Sequence, residues 1–217
     1  MKILALEFSS ETRSVALVES GRVAGRAAES GGRSTRAFAL IDAVLREAVW
    51  EREAIECIAV GLGPGSYTGI RAAIALAQGW QFARDVQALG IGSVECLAAQ
   101  AHSEGVRGAV HFLIDAQRGE FYCARAELAE EAPRIEPLRI ISQEEARSLP
   151  ERALVVEPAL IQLFPNARAL CPEAAALGKL ASARSDYLST EKLEPIYLRP
   201  AAFIKAPPPR AISSLRS

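Results

Sequence analysis

Short apolar runs separated by polar turns open the chain. Ile3–Leu6 and Val15–Val18 are apolar throughout and too short for helices, so each is predicted to be a buried strand. Val23–Ala28, which follows a turn at Gly21, is predicted to be a third strand. Because strands so close in sequence pair as hairpins, the first part of the chain is predicted to form an antiparallel meander.

Helical spacing follows these strands. In Phe38–Val49 the apolar residues recur every three or four positions, which predicts an amphipathic helix with Ser34 or Thr35 as its cap. Ile55–Val60 is again predicted to be a strand, and a glycine-rich turn separates it from a second helix over Gly69–Arg84. The pattern also predicts a strand at Val86–Leu89 and helices at Val94–His102 and Ala174–Ser185.

The second half of the chain repeats the opening pattern. Val110–Ile114 is predicted to be a strand that ends at Asp115, and Phe121–Ala126 is predicted to be the returning strand after a polar turn. The strand Ile3–Leu6 likewise ends at an acidic residue, Glu7, before the next strand begins. Two copies of one unit, each a sheet with helices, would explain this repetition and predict an α/β fold.

Length and repetition together predict two lobes. A chain of 217 residues suits one large domain or two small ones. The repeat favours an N-terminal lobe over residues 1–104, which carries the predicted helices Phe38–Val49 and Gly69–Arg84, and a smaller, less regular lobe over 105–205. Residues 206–217 include three consecutive prolines and are predicted to be a flexible tail.

Composition narrows the function classes. The net charge of −1 draws the chain neither to nucleic acid nor to a membrane. No apolar stretch approaches the ~20 residues of a membrane helix, so a cytoplasmic location without membrane contact is expected. Two histidines provide no metal-ligand pattern and no nucleophile–base motif. The cysteines form no CxxC pair and are predicted to be reduced and mostly buried: Cys57, Cys96, Cys123 and Cys171.

The segment Gly61-Leu-Gly-Pro-Gly-Ser-Tyr-Thr-Gly-Ile-Arg71 is the most distinctive feature. Glycines before a helix can bring backbone N–H groups close to a phosphate. The segment does not match the known phosphate-binding motifs, because no Gly-Lys-Ser/Thr ending is present and Ser66 stands where the third glycine of GxGxxG belongs. The alternative is a structural strand-to-helix turn. Its residues are predicted to be Gly61, Gly63, Pro64, Gly65, Ser66, Thr68, Gly69 and Arg71.

The helix after this turn carries small residues on more than one face. One face could pack on the sheet while another, beside the Phe38–Val49 helix, docks a partner; the alternative is a wholly internal helix. A tryptophan at Ala73 or Ala77 is expected to block docking without unfolding the chain. The predicted interface is Phe38, Ile41, Leu45, Ile70, Ala73, Ile74, Ala77 and Gln81.

Two polar turns, Glu7–Thr12 and Asp115–Glu120, combine carboxylates with hydroxyls or an arginine. In nucleotide-binding proteins of the actin and hexokinase type, such turns face each other across a cleft that holds phosphate and magnesium. Ser, Asp and Gly also suit turns for local reasons, and this simpler interpretation is favoured. A nucleotide cleft, if present, is predicted at Glu7, Ser9, Ser10 and Asp115.

Three segments together resemble one family. They are Ile3-Leu-Ala-Leu-Glu-Phe-Ser-Ser10, the Gly61–Arg71 turn and Asp115-Ala-Gln-Arg-Gly-Glu-Phe-Tyr122, and Pro195-Ile-Tyr-Leu-Arg199 adds a fourth match. They are similar to the bacterial TsaB (YeaZ) family, over nearly the whole chain up to about Arg199. The resemblance implies an actin-like (ASKHA, ribonuclease H-like) duplicated fold of two lobes, each with a mixed sheet and helices.

The resemblance also implies a function. It indicates a non-catalytic dimerisation and activation subunit of the complex that forms N6-threonylcarbamoyladenosine at position 37 of tRNAs reading ANN codons. The implied partners are a TsaD-like paralogue, which holds a metal through a histidine pair that this chain lacks, and a TsaE-like ATPase. Alone, the chain would form a homodimer; tRNA would be reached indirectly. No cofactor of its own is implied, although ATP or ADP could bind at the interface of the complex.

Two positions depart from the family pattern. The first strand of relatives usually ends Asp-Thr-Ser, whereas here it ends Glu7-Phe8-Ser9, and Ser34 stands where many relatives carry a histidine. The longer carboxylate and the lost hydroxyl weaken a magnesium–nucleotide site. The alternative function is an ATP-dependent small-molecule kinase with Glu7 and Asp115 at that site, and a peptidase is a third. The sequence leaves nucleotide binding open.

Overall fold

The computed structural model describes residues 1–30, 36–150 and 153–198. Two sheets with flanking helices make up this part of the chain. The predicted cap at Ser34 or Thr35, the family departure at Ser34, Arg199 of the late motif and the predicted tail 206–217 lie outside the described residues.

The first sheet begins as the predicted meander and continues with parallel strands. Its strands are β1 (Lys2–Glu7), β2 (Thr12–Glu19), β3 (Arg22–Ser30), β4 (Cys57–Gly61) and β5 (Gln87–Ile91). Their order is β3-β2-β1-β4-β5, with β1, β2 and β3 antiparallel to one another and β4 and β5 parallel to β1. β1 lies at the centre, which is why its apolar run is buried on both faces.

The second sheet repeats this topology. Its strands are β6 (Gly108–Asp115), β7 (Glu120–Leu128), β8 (Pro133–Ile135), β9 (Arg139–Ser142), β10 (Leu154–Val156) and β11 (Arg168–Ala169). β6 pairs antiparallel with β7 and parallel with β10, and β11 follows β10. β8 and β9 both pair with β7 on its other side. The repeated strand order confirms the duplicated α/β fold that the repeat predicted and the ribonuclease H-like form that the family resemblance implied.

Five helices complete the described structure. They are α1 (Ala37–Ala48), α2 (Tyr67–Ala83), α3 (Ser93–Ser103), α4 (Gln143–Ser148) and α5 (Ala174–Ser182), and 3-10 turns lie at Arg52–Ala54, Pro158–Leu160 and Thr190–Lys192. α1, α2, α3 and α5 each begin within two residues of the predicted position. Within the described ranges, no helix is both long and apolar enough to cross a bilayer.

Each half of the chain contributes a helix that packs against the sheet of the other half. α1 and α2 cover one face of the first sheet, whereas α5, from the second half, packs on the other face through Leu177. At Gly178 an added Cβ would lie 2.5 Å from a methyl group of Val18, so α5 reaches the sheet because this residue has no side chain. α3, from the first half, packs through Leu97 against the second sheet. The lobe boundary near residue 104 stays a prediction.

The cysteines are free thiols. Cys57, Cys96 and Cys123 are buried, as predicted, and Cys171 is half-buried. Burial raises the pKa of the Cys57 thiol to about 12, and the carboxylate of Glu56 acts in the same direction. Buried neutral thiols of this kind behave as small apolar side chains rather than as reactive groups.

Candidate functional site

The glycine-rich turn joins β4 to α2 and is filled by the chain itself. The hydroxyl of Ser66 accepts a hydrogen bond from the Gly69 N–H at 3.4 Å and caps α2. An added Cβ at Gly69 would lie 2.0 Å from the carbonyl oxygen of Phe8, and one at Gly65 would lie 2.1 Å from that of Ser9. The glycines therefore admit neighbouring backbone rather than an anion.

Other turn residues divide into buried and exposed ones. Gly63 and Pro64 are buried, and the Gly63 carbonyl accepts a hydrogen bond from the Ser93 N–H at 2.7 Å. Thr68 and Arg71, in contrast, are exposed on α2, and the Arg71 guanidinium lies 4.6 Å from the ring centre of Tyr67. The buried residues shape the turn, whereas Arg71 lies on the exposed face of α2 against an aromatic ring.

Arg13 holds this turn in place, and the sequence did not single it out. Its guanidinium donates hydrogen bonds to the carbonyl oxygens of Phe8 and Ser10 and, at 2.8 Å, to the hydroxyl of Ser66. The half-buried position of Arg13 explains its lowered pKa, because burial disfavours the charged form. No motif surrounds Arg13, so only the tertiary contacts identify its role.

A cleft of about 470 Å³ lies between the two sheets at the carboxyl ends of their central strands. The turns after β1 and β6 face each other across it, and Ser9, Ser10 and Asp115 are among its lining residues. The cleft also contains residues that the sequence did not single out: Glu11, Tyr67, Tyr122, Glu157 and Tyr197. For Glu157 a signal was present, because it follows a short apolar strand as Asp115 does.

Glu7 does not line the cleft, which contradicts its predicted place there. Its side chain is fully buried, and one carboxylate oxygen, Oε1, accepts a hydrogen bond from the Ser9 N–H at 2.8 Å. Burial raises the pKa of this carboxyl above its usual value, although the hydrogen bonds from Ser9 and the charge of Arg13 oppose the shift. An added Cβ at Gly61 would lie 2.1 Å from Oε2, so Glu7 occupies space that this glycine leaves free.

The cleft is acidic. Burial raises the pKa of Glu157 to about 7, and the neighbouring carboxylate of Asp115 adds to the shift. Asp115 is itself held by Gln117, whose backbone N–H and side-chain amide donate to its two carboxylate oxygens at 2.7 and 2.8 Å. Among the described residues that line the cleft there is no lysine or arginine. This lining disfavours the phosphates of a nucleotide that arrives without a cation.

An apolar groove of about 440 Å³ lies on the outer side of α1 and α2. Phe38 of α1 lines it and is 64% exposed. Arg84 and Glu53, which are paired at 3.7 Å, also line it. The α2 residues that line it are Ala75, Leu76, Gly79, Trp80 and Ala83. Exposed and half-buried side chains, rather than fully buried ones, form this concave apolar surface.

Most residues of the predicted interface lie elsewhere. Six of them are buried in the core between α1, α2 and the first sheet: Ile41, Leu45, Ile70, Ala73, Ile74 and Ala77. Gln81 is half-buried and hydrogen-bonds within the chain. These side chains are not available for direct contact, because the helix face they share is the one that packs on the sheet. Of the predicted set, Phe38 is exposed, and it borders the groove.

Comparison with known proteins supplies the family. A family model described as "TsaD: tRNA N6-adenosine threonylcarbamoyltransferase" matches residues 31–154, more than half of the chain. The chain belongs to this family. Curated relatives of the chain include "tRNA threonylcarbamoyladenosine biosynthesis protein TsaB" of Escherichia coli (strain K12), 31% identical over 125 residues, which cover 57% of this chain and 54% of the relative.

Two further matches extend the comparison. The TsaB protein of Bacillus subtilis (strain 168) is 30% identical over 125 residues, which cover 56% of this chain and 53% of the relative. The chain thus spans about half the length of the curated relatives it matches. The solved structure "YeaZ from Pseudomonas aeruginosa" is 28% identical with a TM-score of 0.77, covering 91% of this chain and 99% of that chain. The resemblance to the TsaB (YeaZ) family is confirmed.

The TsaB-like motifs meet at one place in the fold. The β1 motif and the Asp115–Tyr122 motif provide facing walls of the cleft, and the glycine-rich turn provides its third side. Tyr197 of the late motif also lines the cleft and stacks on Tyr67, with ring centres 5.4 Å apart. Segments that are far apart in sequence therefore form the walls of one cleft. α2 begins at this cleft and extends to the groove.

Proposed function

We propose that this chain is a non-catalytic dimerisation and activation subunit of the complex that forms N6-threonylcarbamoyladenosine at position 37 of tRNAs reading ANN codons. The names of its TsaB relatives and its family support this assignment. In this proposal it acts in the cytoplasm, binds a TsaD-like catalytic paralogue, and reaches tRNA through the complex. A TsaE-like ATPase joins the assembly, and without TsaD the chain pairs with a second copy.

The observation that supports the proposal most is the apolar groove on the outer side of α1 and α2. Contiguous apolar concavities rimmed by polar residues mark protein interaction sites. The groove residues Phe38 and Leu76 present such a surface, and the Arg84–Glu53 pair lies at it. This proposal keeps the two helices that the sequence predicted to dock, but it assigns the contacts to residues on the outer face of α2 rather than to those on its buried face.

The acidic cleft supports a binding role over the kinase alternative. A kinase of this fold needs a magnesium–phosphate site, and Glu7, its proposed ligand, is buried away from the cleft. Asp115 does line the cleft, but burial, with the charge of Asp115 adding to it, already raises the pKa of Glu157 beside it to about 7. ATP or ADP in this proposal binds at the interface of the complex, where a partner can contribute cationic groups.

The experiment combines co-purification with a modification assay. The chain is mixed with the TsaD-like and TsaE-like proteins of the same organism, and threonylcarbamoylation of tRNA is measured with and without it. The groove variant is Ala75→Trp, since Ala75 is exposed and lines the groove. Its matched control is Ala132→Trp, at an exposed position of the second half.

Two outcomes separate the parts of the proposal. We expect Ala75→Trp to lose co-purification and stimulation of the assay, whereas Ala132→Trp behaves as the unchanged chain. If the unchanged chain neither binds the TsaD-like protein nor stimulates modification, the proposed function is wrong. If Ala75→Trp binds normally, the docking groove is wrongly placed.

A further inference from the structure

The segment Leu188–Tyr197, which we call the strap, returns from the second half to the first. The Leu188 N–H donates to the carbonyl oxygen of Ala88 at 2.9 Å, and the two residues form an antiparallel bridge at the free edge of β5. The strap then runs beside α2 towards the glycine-rich turn. It includes Pro195-Ile-Tyr197 of the late motif, which the docking groove leaves unexplained.

The strap is anchored at the C-terminal end of α2. Thr190 is 3% exposed, and both its N–H and its hydroxyl donate to the side-chain oxygen of Gln81, at 2.9 and 2.8 Å. The amide nitrogen of Gln81 donates in turn to the Val86 carbonyl at 2.9 Å. Gln78 adds a hydrogen bond to the Thr190 carbonyl at 3.4 Å. Because the N–H, hydroxyl and carbonyl of this buried threonine are all hydrogen-bonded, its contact with α2 is specific.

The other end of the strap is attached to the glycine-rich turn and to the start of α2. Leu193 is buried in the core beneath α2, and the Ile196 N–H donates to the Leu62 carbonyl at 2.8 Å. Tyr197 then stacks on Tyr67, the first residue of α2, and lines the cleft. The strap thus holds α2 at both ends and ends at the cleft.

Strap and groove use different faces of the same helix. The strap contacts recur at Tyr67, Gln78 and Gln81, which lie close together on a wheel of 3.6 residues per turn. The groove residues form another stripe at Ala75, Leu76, Gly79 and Ala83. Because a helix of this length moves as a unit, a displacement of the residues that contact the strap also displaces the residues that line the groove.

We propose that the strap is a latch that couples the α1–α2 groove to the cleft. With the strap in place, α2 is held in the position that forms the groove, and Tyr197 closes one side of the cleft. When the strap is released, α2 loses its anchors at Gln81 and Tyr67, and the groove loses its shape. A partner bound in the groove therefore favours the latched state, and by reciprocity it protects the strap. The effect of a bound partner on the strap rests on the proposed docking function, whereas the coupling of the strap to α2 does not.

The first test uses the isolated chain and hydrogen–deuterium exchange read by mass spectrometry. Gln81→Leu removes the acceptor for both Thr190 donors, and Thr190→Val removes only the hydroxyl donor in a side chain of the same shape. Gln81→Leu loses the two bonds from Thr190 and the bond to the Val86 carbonyl. Each lost hydrogen bond changes the opening equilibrium by about fivefold, so Gln81→Leu should speed exchange about 25-fold or more and Thr190→Val about fivefold. The control is Lys192→Ala, an exposed strap residue.

The location of the faster exchange decides the outcome. We expect it in the strap and in both halves of α2, with β6 and β7 unchanged in all variants. Faster exchange that stays within the strap would mean that α2 does not depend on it, and would overturn the latch. Global acceleration in Gln81→Leu indicates unfolding, and in that case the milder Thr190→Val decides between the two results.

The second test measures affinity for the TsaD-like protein. Tyr197→Ala removes the stack on Tyr67 and should weaken binding about fivefold to tenfold although Tyr197 does not line the groove. Tyr197→Phe keeps the ring and should retain most of the affinity. Equal binding by Tyr197→Ala and the unchanged chain overturns the coupling. Failure of the unchanged chain to bind is instead a failure of the proposed function, which the exchange experiment on the isolated chain separates from the latch.

Discussion

The guanidinium of Arg13 donates a hydrogen bond to the hydroxyl of Ser66 at 2.8 Å, across 53 residues of sequence. Ser66 is the residue that caps α2, and Arg13 also holds the carbonyl oxygens of the turn after β1. One half-buried side chain therefore joins a wall of the cleft to the start of α2.

Replacing Arg13 should lower stability. Arg13→Leu removes three donated hydrogen bonds and leaves the carbonyl oxygens of Phe8 and Ser10 without this donor, which should cost roughly 2–4 kcal/mol. Urea unfolding followed by circular dichroism measures the loss. Arg22→Ala, at an exposed position of β3, serves as the control and should change stability by less than ~0.5 kcal/mol. Equal effects of the two substitutions would show that Arg13 is not a structural clamp.

Two glycines of α2 should respond in opposite directions to alanine. At Gly69 the new methyl group would lie 2.0 Å from the Phe8 carbonyl oxygen, so Gly69→Ala should destabilise the chain by at least ~2 kcal/mol. At Gly79 nothing lies within 4 Å of the added carbon, and alanine favours helices over glycine by about 1 kcal/mol. Gly79→Ala should therefore raise the melting temperature, and a melting curve for each variant checks both signs.

The cleft carboxyl Glu157 should make stability depend on pH. Its pKa is raised from 4.5 to about 7 in the folded chain, so the folded state binds this proton more tightly than the unfolded state does. The stability contribution is therefore fully present below pH 4.5 and is lost as pH rises to about 7. Glu157→Gln removes the cost of the charged form, on the order of 3 kcal/mol at most, and should stabilise the chain at pH 8 but not at pH 4.

Chemical unfolding at the two pH values measures this effect. The control is Glu131→Gln, at an exposed loop position, which should leave the difference between pH 4 and pH 8 unchanged. Asp115 and Glu11 also act on Glu157, so part of the pH dependence will remain in the variant. A gain of equal size at both pH values would mean that packing, not charge, explains the result.

A tryptophan should have opposite consequences at two neighbouring positions of α2. Ala73 is fully buried, so Ala73→Trp overpacks the core and should destabilise or unfold the chain, which corrects the expectation that it blocks docking alone. Ala75 is exposed, so Ala75→Trp should fold with nearly unchanged stability. Melting curves of the two isolated variants check this, and a folded Ala73→Trp with normal stability would contradict the assignment of Ala73 to the core.

Local sequence patterns predicted most secondary-structure elements. The apolar run of β1 and the helical spacing of α1 are properties of neighbouring residues, and both elements begin within one residue of their predicted positions. The repetition of strand, acidic residue and strand predicted the duplication for the same reason. The exchange of α3 and α5 between the two sheets was not predicted, because it depends on which apolar faces meet after the chain has folded back.

Glu7 and Asp115 show most directly which properties the sequence determines and which depend on tertiary structure. Each is an acidic residue at the end of a central strand, and the sequence by itself determined this position and the family motifs around it. Only the folded structure buried Glu7 beside Gly61 and left Asp115 in the cleft with Glu157. The reason is physical: periodicity is set by residues within a few positions, whereas burial and pKa depend on atoms that distant segments bring within a few ångströms.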